Sequence, residues 1–216
     1  MMRVFVTGAT GWVGSALVRE LIAAGHKVTG LVRSEQKARA LQAAGGEPLL
    51  GSLRDLKTLK RAASGADGVI HLAFGLDISN IVELAEEDRQ AIEAFGEVYA
   101  GSDRPVIITS GFGLLPAGET FTEDMPLASI NPQFPRASEQ TAFAIAAKGV
   151  RATWVRLPRS VHGVGERHGF VPMLASIARE KGPHTSVSWP RGSLATARRP
   201  ALGPERVSDG CQSSPA

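Results

Sequence analysis

The sequence predicts an α/β fold built on a doubly wound parallel sheet. Three observations carry that expectation. Short, nearly all-apolar runs alternate with longer segments of helical period across the first 157 residues, the mark of a parallel sheet covered on both faces. The first strand–helix junction, VTGATGWVGS, crowds glycine where a tight turn must be made. At 216 residues the chain suits one well-buried domain and leaves little for a second.

Each element follows from its pattern. Val4–Val6 is a strand of apolar residues, and Trp12–Ala24 a helix with apolar positions at helical spacing. Val28–Val32 is the second strand, followed by a helix over Glu35–Ala44. Glu47–Leu50 is a weak third strand, with Leu56–Ala63 helical after it. Gly68–Leu72 is the fourth strand and precedes a long, polar-faced helix over about Ile81–Tyr99. Val106–Thr109 is a fully apolar fifth strand, Ser138–Lys148 another helix, and Thr153–Val155 closes the series. Phe170–Lys181 could add one more helix. Right-handed crossovers between such strands give a doubly wound sheet. Beyond residue 182 neither period is sustained. Residues 183–216 hold five of the 13 prolines and few large aliphatic residues, too little apolar surface to offset the entropy of ordering. The expected organisation is residues 1–157 as the main domain, 158–182 as a partial further segment and 183–216 as an irregular tail rich in Pro, Arg and Ser.

Charge and composition exclude several classes. The net charge is +3, of which the tail supplies +2 through four arginines set against Glu205 and Asp209. The body is therefore close to neutral, without the clustered basic face that nucleic acid needs. No run reaches the roughly 18 apolar residues of a membrane span. The start, MMRVFVTG, enters a strand at once, and no signal peptide is expected. With a single cysteine, Cys211, no disulfide forms within the chain, and a cytoplasmic location is expected.

Gly8, Gly11 and Gly14 fall as GxxGxxG between the first strand and the first helix. An early glycine permits the turn, a middle one lets backbone approach a pyrophosphate, and a later one brings helix and strand close. The free N–H groups at the helix start, with the positive end of the helix dipole, make an anion site. In the first βα turn of an alternating pattern, these glycines predict dinucleotide binding on a Rossmann-like fold. No Gly-Lys-Ser/Thr follows, which disfavours a P-loop. The second strand ends in LVRS, so Arg33 stands where a carboxylate would bind the ribose of NAD. An arginine there can pair with the 2′-phosphate of NADP, and NADP is expected in preference to NAD.

VTGATGWVGSALVREL, followed by GLVRS, GSLRDL, GVIHLA, VIITSG and RLPRSVHGVG, resembles the extended short-chain dehydrogenase/reductase family, which includes the NAD-dependent epimerases and dehydratases. The likeness spans roughly residues 3–182 and is nearest an atypical, epimerase-like subgroup. It implies cofactor contacts at Thr7, Gly8, Ala9, Thr10, Gly11, Trp12, Val13, Gly14 and Arg33. It places Ser52 and Leu53 beside the adenine, and Leu72, Ala73 and Phe74 along the nicotinamide-side ribose, with Thr109 also at the cofactor. Ser52 departs from the family's usual aspartate. His71 reads as a strand-end histidine satisfied by backbone, in preference to a catalytic role.

In that family a tyrosine moves the proton, aided by a lysine four residues on, because a phenol near pKa 10 can be pulled towards working pH by a cation. This chain's one tyrosine, Tyr99, is followed four residues later by Asp103. The matching segment, PRASEQ, sets Pro135 where the tyrosine belongs and Glu139 where the lysine belongs. Arg136 and Glu139, three apart at a helix start, are candidate substitutes that would share a face towards the nicotinamide. A plain helix-dipole role for Glu139, with Ser138 near the cap, also accounts for it. The family's serine falls best on Gly111, leaving Ser110 as the candidate contact for a substrate oxygen. His162 lies near the expected substrate pocket but reads as a loop histidine.

The expected function is that of an NAD(P)-dependent oxidoreductase or epimerase-like enzyme on a small carbonyl, hydroxyl or nucleotide-sugar-like substrate, lacking the usual Tyr–Lys pair. The alternative is a non-catalytic NAD(P)-binding sensor or regulator. No metal is expected. The resemblance implies a homodimer through the two helices at about 81–99 and 138–148, and a truncated or irregular C-terminal substrate lobe. Out-of-frame reading of the gene's 3′ end and a genuinely divergent tail are both open explanations of that ending.

Overall fold

The computed structural model describes residues 1–75, 78–111, 122, 130, 132, 135–158, 161, 163, 175–176 and 178–180. Its elements run β1 (Arg3–Thr7), α1 (Trp12–Ala23), β2 (Lys27–Val32), α2 (Glu35–Ala43), β3 (Glu47–Leu50), α3 (Leu56–Ser64), β4 (Gly68–His71), α4 (Ile81–Tyr99), β5 (Val106–Gly111), α5 (Ser138–Ala146) and β6 (Ala152–Leu157). All eleven fall where the sequence pattern puts them. The differences lie at the ends, where hydrogen-bond ladders extend past the apolar run: β5 continues through Ser110 to Gly111, and β6 gains residues on both sides of Thr153–Val155. The helix α5 stops at Ala146, two residues before the expected end. Most of Phe170–Lys181 lies outside the described residues; 175–176 and 178–180 are helical.

The six strands form one sheet in the order β3-β2-β1-β4-β5-β6, and every pairing is parallel. Alternation along β1 explains why both faces need cover. Val4 and Val6 join Val18, Val28, Val32 and Leu41 in one apolar cluster, under α1 and α2. Phe5 points the other way and packs with Leu59, Ile92, Phe95 and Ile108, under α3 and α4. Its ring meets Phe95 edge-on at 6.1 Å between centroids. The centre of the sheet is thus buried on both sides, as a doubly wound sheet requires, while the edge strand β6 exposes Thr153 and Val155.

Strand order positions the site. The chain builds outwards from β1 to β3, then returns to lay β4 on the other side of β1. The C-terminal ends of β1 and β4 are neighbours, with Thr7 in register with His71. Connections diverge there, opening the crevice in which such sheets bind ligands.

Candidate dinucleotide cradle and buried polar network

The turn after β1 is shaped by two glycines that no other residue replaces. Gly8 has φ +70°, and a Cβ on it would lie 2.9 Å from the amide nitrogen of Ala73. A Cβ on Gly14 would lie 2.0 Å from the carbonyl oxygen of Gly8, so α1 sits against the turn backbone itself. Gly11 differs: it is exposed, and a Cβ there would lie 3.2 Å from Gly8 O. Its N–H donates to Gly8 O at 2.9 Å and closes the turn. Ala9 is buried in the core, while Thr10, Trp12 and Val13 are half-buried around the opening. A Cβ on Gly163 would come within 3.0 Å of the Trp12 ring, so the chain after β6 reaches the edge of the cradle.

The helix α1 starts at Gly11 with no side-chain cap and no acidic residue in its first turn. The next two helices are capped, Ser34 Oγ accepting from the Lys37 N–H and Asp55 from the Thr58 N–H, whereas α4 and α5, like α1, have no side-chain cap. The open N–H groups and positive dipole end of α1 therefore remain for an anion. The site thus fits a pyrophosphate in both shape and donors. Arg33 is exposed at the end of β2 and makes no hydrogen bond or ion pair among the described residues. Ser52 and Leu53 lie half-buried just past β3, Leu53 against the core.

Behind the cradle lies a buried polar network. The Ala73 N–H donates to Thr7 Oγ1 at 3.2 Å, and Thr7 Oγ1 lies 2.7 Å from His71 Nδ1. His71 Nε2 is 3.2 Å from Asp88 Oδ1. Ser138 donates to Asp88 Oδ2 at 2.6 Å and accepts from Arg136 Nε at 2.8 Å. Thr7, His71, Asp88 and Ser138 are all essentially inaccessible. His71 is thus held through its ring by side chains on β1 and α4, whereas sequence reasoning expected backbone partners. Its ring also meets Phe95 edge-on. Burial acts to raise the Asp88 carboxyl, but the His71 hydrogen bond and the nearby Arg136 charge outweigh it and hold the group below its ordinary value.

The start of α5 carries the other candidates. Ala137 is its N-cap, and Ser138 caps nothing, its hydroxyl being directed at Asp88. The Arg136 guanidinium lies 4.0 Å from the Phe74 ring centroid, donates to Thr109 O at 2.7 Å and approaches Asp88 at 3.7 Å. Burial lowers its pKa, against the charges of Asp88 and Glu139. Glu139 turns instead to Arg156 on β6, which donates to both carboxylate oxygens at 2.8 Å. Both side chains of that pair are buried, and the Glu139 hydrogen bond raises the Arg156 pKa. The two candidates are thus held by different partners. Thr109 donates to His71 O at 3.1 Å. Ser110, in register with Arg156, is 3% exposed, and its Oγ has no hydrogen-bond partner among the described residues. His162 lies outside the described residues.

Tyr99 is far from this chemistry. It closes α4, buried, with its hydroxyl aimed at the carbonyls of Ala63 and Ala66, and burial pushes its pKa up to about 12. A concavity of about 340 Å³ among Arg3, Lys27, Glu47 and Arg61 also lies at the start of the strands, away from the cradle.

Sequence reasoning missed Asp88 and Arg156. Asp88 had a legible signal: Ile81, Ala85, Ile92, Phe95 and Tyr99 form a buried stripe of alternating four- and three-residue steps, and Asp88 stands in its gap. An acid in an otherwise apolar stripe needs a buried partner.

Residues 8–191 match the NAD(P)H-binding family. An uncharacterized protein of Schizosaccharomyces pombe is 49% identical over 183 residues, covering 84% of this chain and 61% of that protein. The decarboxylating sterol-4-alpha-carboxylate 3-dehydrogenase of Dictyostelium discoideum is 33% identical over 139 residues, 60% of this chain and 42% of the relative. Among solved structures, dTDP-glucose 4,6-dehydratase from Bacillus anthracis in complex with NAD superposes with a TM-score of 0.66 at 16% identity, covering 84% of this chain and 62% of that one. The last is a likeness of fold. The chain spans about three fifths of the length of its S. pombe relative.

Proposed function

Because the chain belongs to the NAD(P)H-binding family, we propose that it is an NADP-dependent oxidoreductase or epimerase-like enzyme acting on a small carbonyl, hydroxyl or nucleotide-sugar-like compound. The observation that carries the cofactor half is the cradle: exposed Gly11 at an uncapped helix start, braced by Gly8 and Gly14. Backbone can approach a pyrophosphate there without a side chain intervening. Gly8, Thr10, Gly11, Trp12 and Val13 line that cradle, with Thr7, Ala9 and Gly14 buried behind it and Ser52 and Leu53 on the adenine side. Leu72, Ala73, Phe74 and Thr109 lie towards the nicotinamide. Arg33, a cation without a partner among the described residues, supports NADP, since a guanidinium pairs with a phosphate in two parallel hydrogen bonds.

When bound, the dinucleotide supplies or accepts hydride at nicotinamide C4. The chain's own contribution on the substrate side is Ser110. A buried hydroxyl without a partner costs about 1–3 kcal/mol, a cost that a substrate oxygen accepting from it would relieve. The identity of the Dictyostelium relative as a dehydrogenase supports a redox reaction.

One observation favours a second reading, a non-catalytic NAD(P)-binding sensor. Arg136 and Glu139 are both engaged, on Thr109 O and on Arg156, so neither is poised to move a proton. A fluorescence titration with NADPH and NADH, followed by nicotinamide absorbance with a panel of aldehydes, ketones and sugar nucleotides, separates the two. Turnover on any panel member supports the enzyme; tight binding with none supports the sensor. Failure to bind either dinucleotide removes both.

A further inference from the structure

The geometry points to His71 and Asp88 as positioning residues that hold the dinucleotide cradle and the start of α5 in one mutual register. This rests on the cradle being a dinucleotide site, and adds a role for residues that would not touch the dinucleotide.

Hydrogen-bond polarity along the network follows from Asp88, a carboxylate that only accepts. His71 Nε2 therefore carries a proton and donates to Asp88 Oδ1. With one proton on the ring, Nδ1 accepts from the Thr7 hydroxyl, whose oxygen takes the Ala73 N–H at the same time. From the other side, Arg136 Nε donates to Ser138, which donates to Asp88 Oδ2. Both arms terminate on one carboxylate, whose oxygens accept from each. With this assignment every member is paired.

The arms reach what matters for binding. One ends at Thr7, which leads directly into Gly8, and at Ala73, whose backbone Gly8 packs against. The other ends at Arg136, which lies over Phe74 and donates to Thr109 O, next to Ser110. Phe74 directly follows Ala73, so the network closes on itself around the crevice. A buried ionic network is weak support for stability, because apolar residues of similar volume often do as well. Fixing the register of groups around a site is a use that apolar packing serves less well.

Asp88→Asn tests this because it keeps the shape and breaks the polarity. An amide accepts at one oxygen only. With its NH2 towards His71, the ring must shift its proton to Nδ1, and the Thr7 hydroxyl must then turn its proton away. With its NH2 towards Ser138, the serine proton loses its acceptor instead. Dissociation constants for NADPH, from nicotinamide fluorescence, are compared for wild type, Asp88→Asn, Thr7→Val and the double variant, each checked by thermal melting. Each single change is expected to weaken binding roughly tenfold, the factor that corresponds to about 1.4 kcal/mol of lost coupling. The double variant is expected to bind no more weakly than the weaker single, because both cut the same chain. A generally loosened fold would give losses that multiply. Should Asp88→Asn fail to fold, Ser138→Ala carries the test, with about threefold weaker binding expected on a wild-type background and no further loss on Thr7→Val. Wild-type affinity in the variant, or multiplying losses, overturns the positioning role alone. Absence of NADPH binding by the wild type overturns it together with the dinucleotide site.

Discussion

Gly14→Ala and Gly11→Ala form a matched pair whose outcomes should separate fold from binding. At Gly14 the new methyl would stand 2.0 Å from Gly8 O, 2.8 Å from Gly8 C and 3.0 Å from Ala9 Cα. All three atoms are backbone, so no side chain can swing aside, and α1 must lift off the turn by about 1 Å. Overpacking of this kind costs roughly 3 kcal/mol or more. Alanine's better helix propensity returns about 1 kcal/mol, leaving a net loss of about 2 kcal/mol. For a domain of this size that lowers the melting temperature by about 4–8 °C. At Gly11 the methyl would meet only Gly8 O, at 3.2 Å, and the residue is exposed. Melting should therefore fall by only about 2–4 °C, the effect of an alanine N-cap about 1 kcal/mol poorer than glycine. The methyl would, however, stand where the pyrophosphate lies, and NADPH affinity should fall at least tenfold, about 1.4 kcal/mol. Far-UV circular dichroism melts and nicotinamide fluorescence read the two effects separately. Undiminished NADPH affinity in Gly11→Ala, or an unchanged melt in Gly14→Ala, would refute the account of the cradle.

Three further outcomes are expected. The Asp88 carboxyl titrates lower in the folded protein than its ordinary value, so the unfolded chain takes up the proton first as pH falls. The stability contributed is complete above about pH 5 and is lost towards pH 3 and below; the melting temperature of Asp88→Asn should fall less steeply across that range, and parallel curves would contradict the shift. Arg33→Glu should weaken NADPH binding by roughly tenfold or more while sparing NADH, since it replaces a phosphate partner with a like charge; equal losses for both cofactors would remove Arg33 from the 2′-phosphate site. Glu139→Gln leaves Arg156 buried without its carboxylate and should cost about 3–5 kcal/mol, whereas Glu139→Leu with Arg156→Met should recover most of it in a melt. No recovery would mean the pair does more than satisfy itself.

The fold was legible because its signals are local and redundant. Each strand is an apolar run, each helix has its own period, and Gly8, Gly11 and Gly14 mark the turn from β1 into α1, where backbone geometry demands glycine at Gly8 and Gly14. What escaped was set by tertiary contact. His71 looked like a strand-end residue because its sequence neighbours are apolar; its partners, Thr7 and Asp88, lie 64 and 17 residues away. Glu139 and Arg136, three apart on a helix start, invited a shared face. Yet Arg136 precedes the helix, outside its 3.6-residue period, and β6 supplied an arginine that captured Glu139. No pairing rule within one element could have named Arg156.

Burial of polar groups gives a sharper pointer to the working end of the molecule than the glycines do. Thr7, His71, Thr109 and Ser110 are buried at the C-terminal ends of β1, β4 and β5, with Asp88, Ser138 and Glu139 packed against them. Each would cost free energy in an apolar interior unless paired, and all but one are. The pairing is by strong partners: a carboxylate with a histidine and a serine, and an arginine with both oxygens of a glutamate. Ser110 is the exception, a buried hydroxyl whose cost nothing among the described residues relieves. A hydroxyl left unpaired beside side chains held in hydrogen bonds is where a ligand has most to gain. If Ser110→Ala preserved both the melt and turnover on whichever panel substrate reacts, that gain would be absent, and the substrate would have to meet the chain elsewhere. A loss of turnover with NADPH affinity intact would assign Ser110 to the substrate and separate its role from that of the cradle.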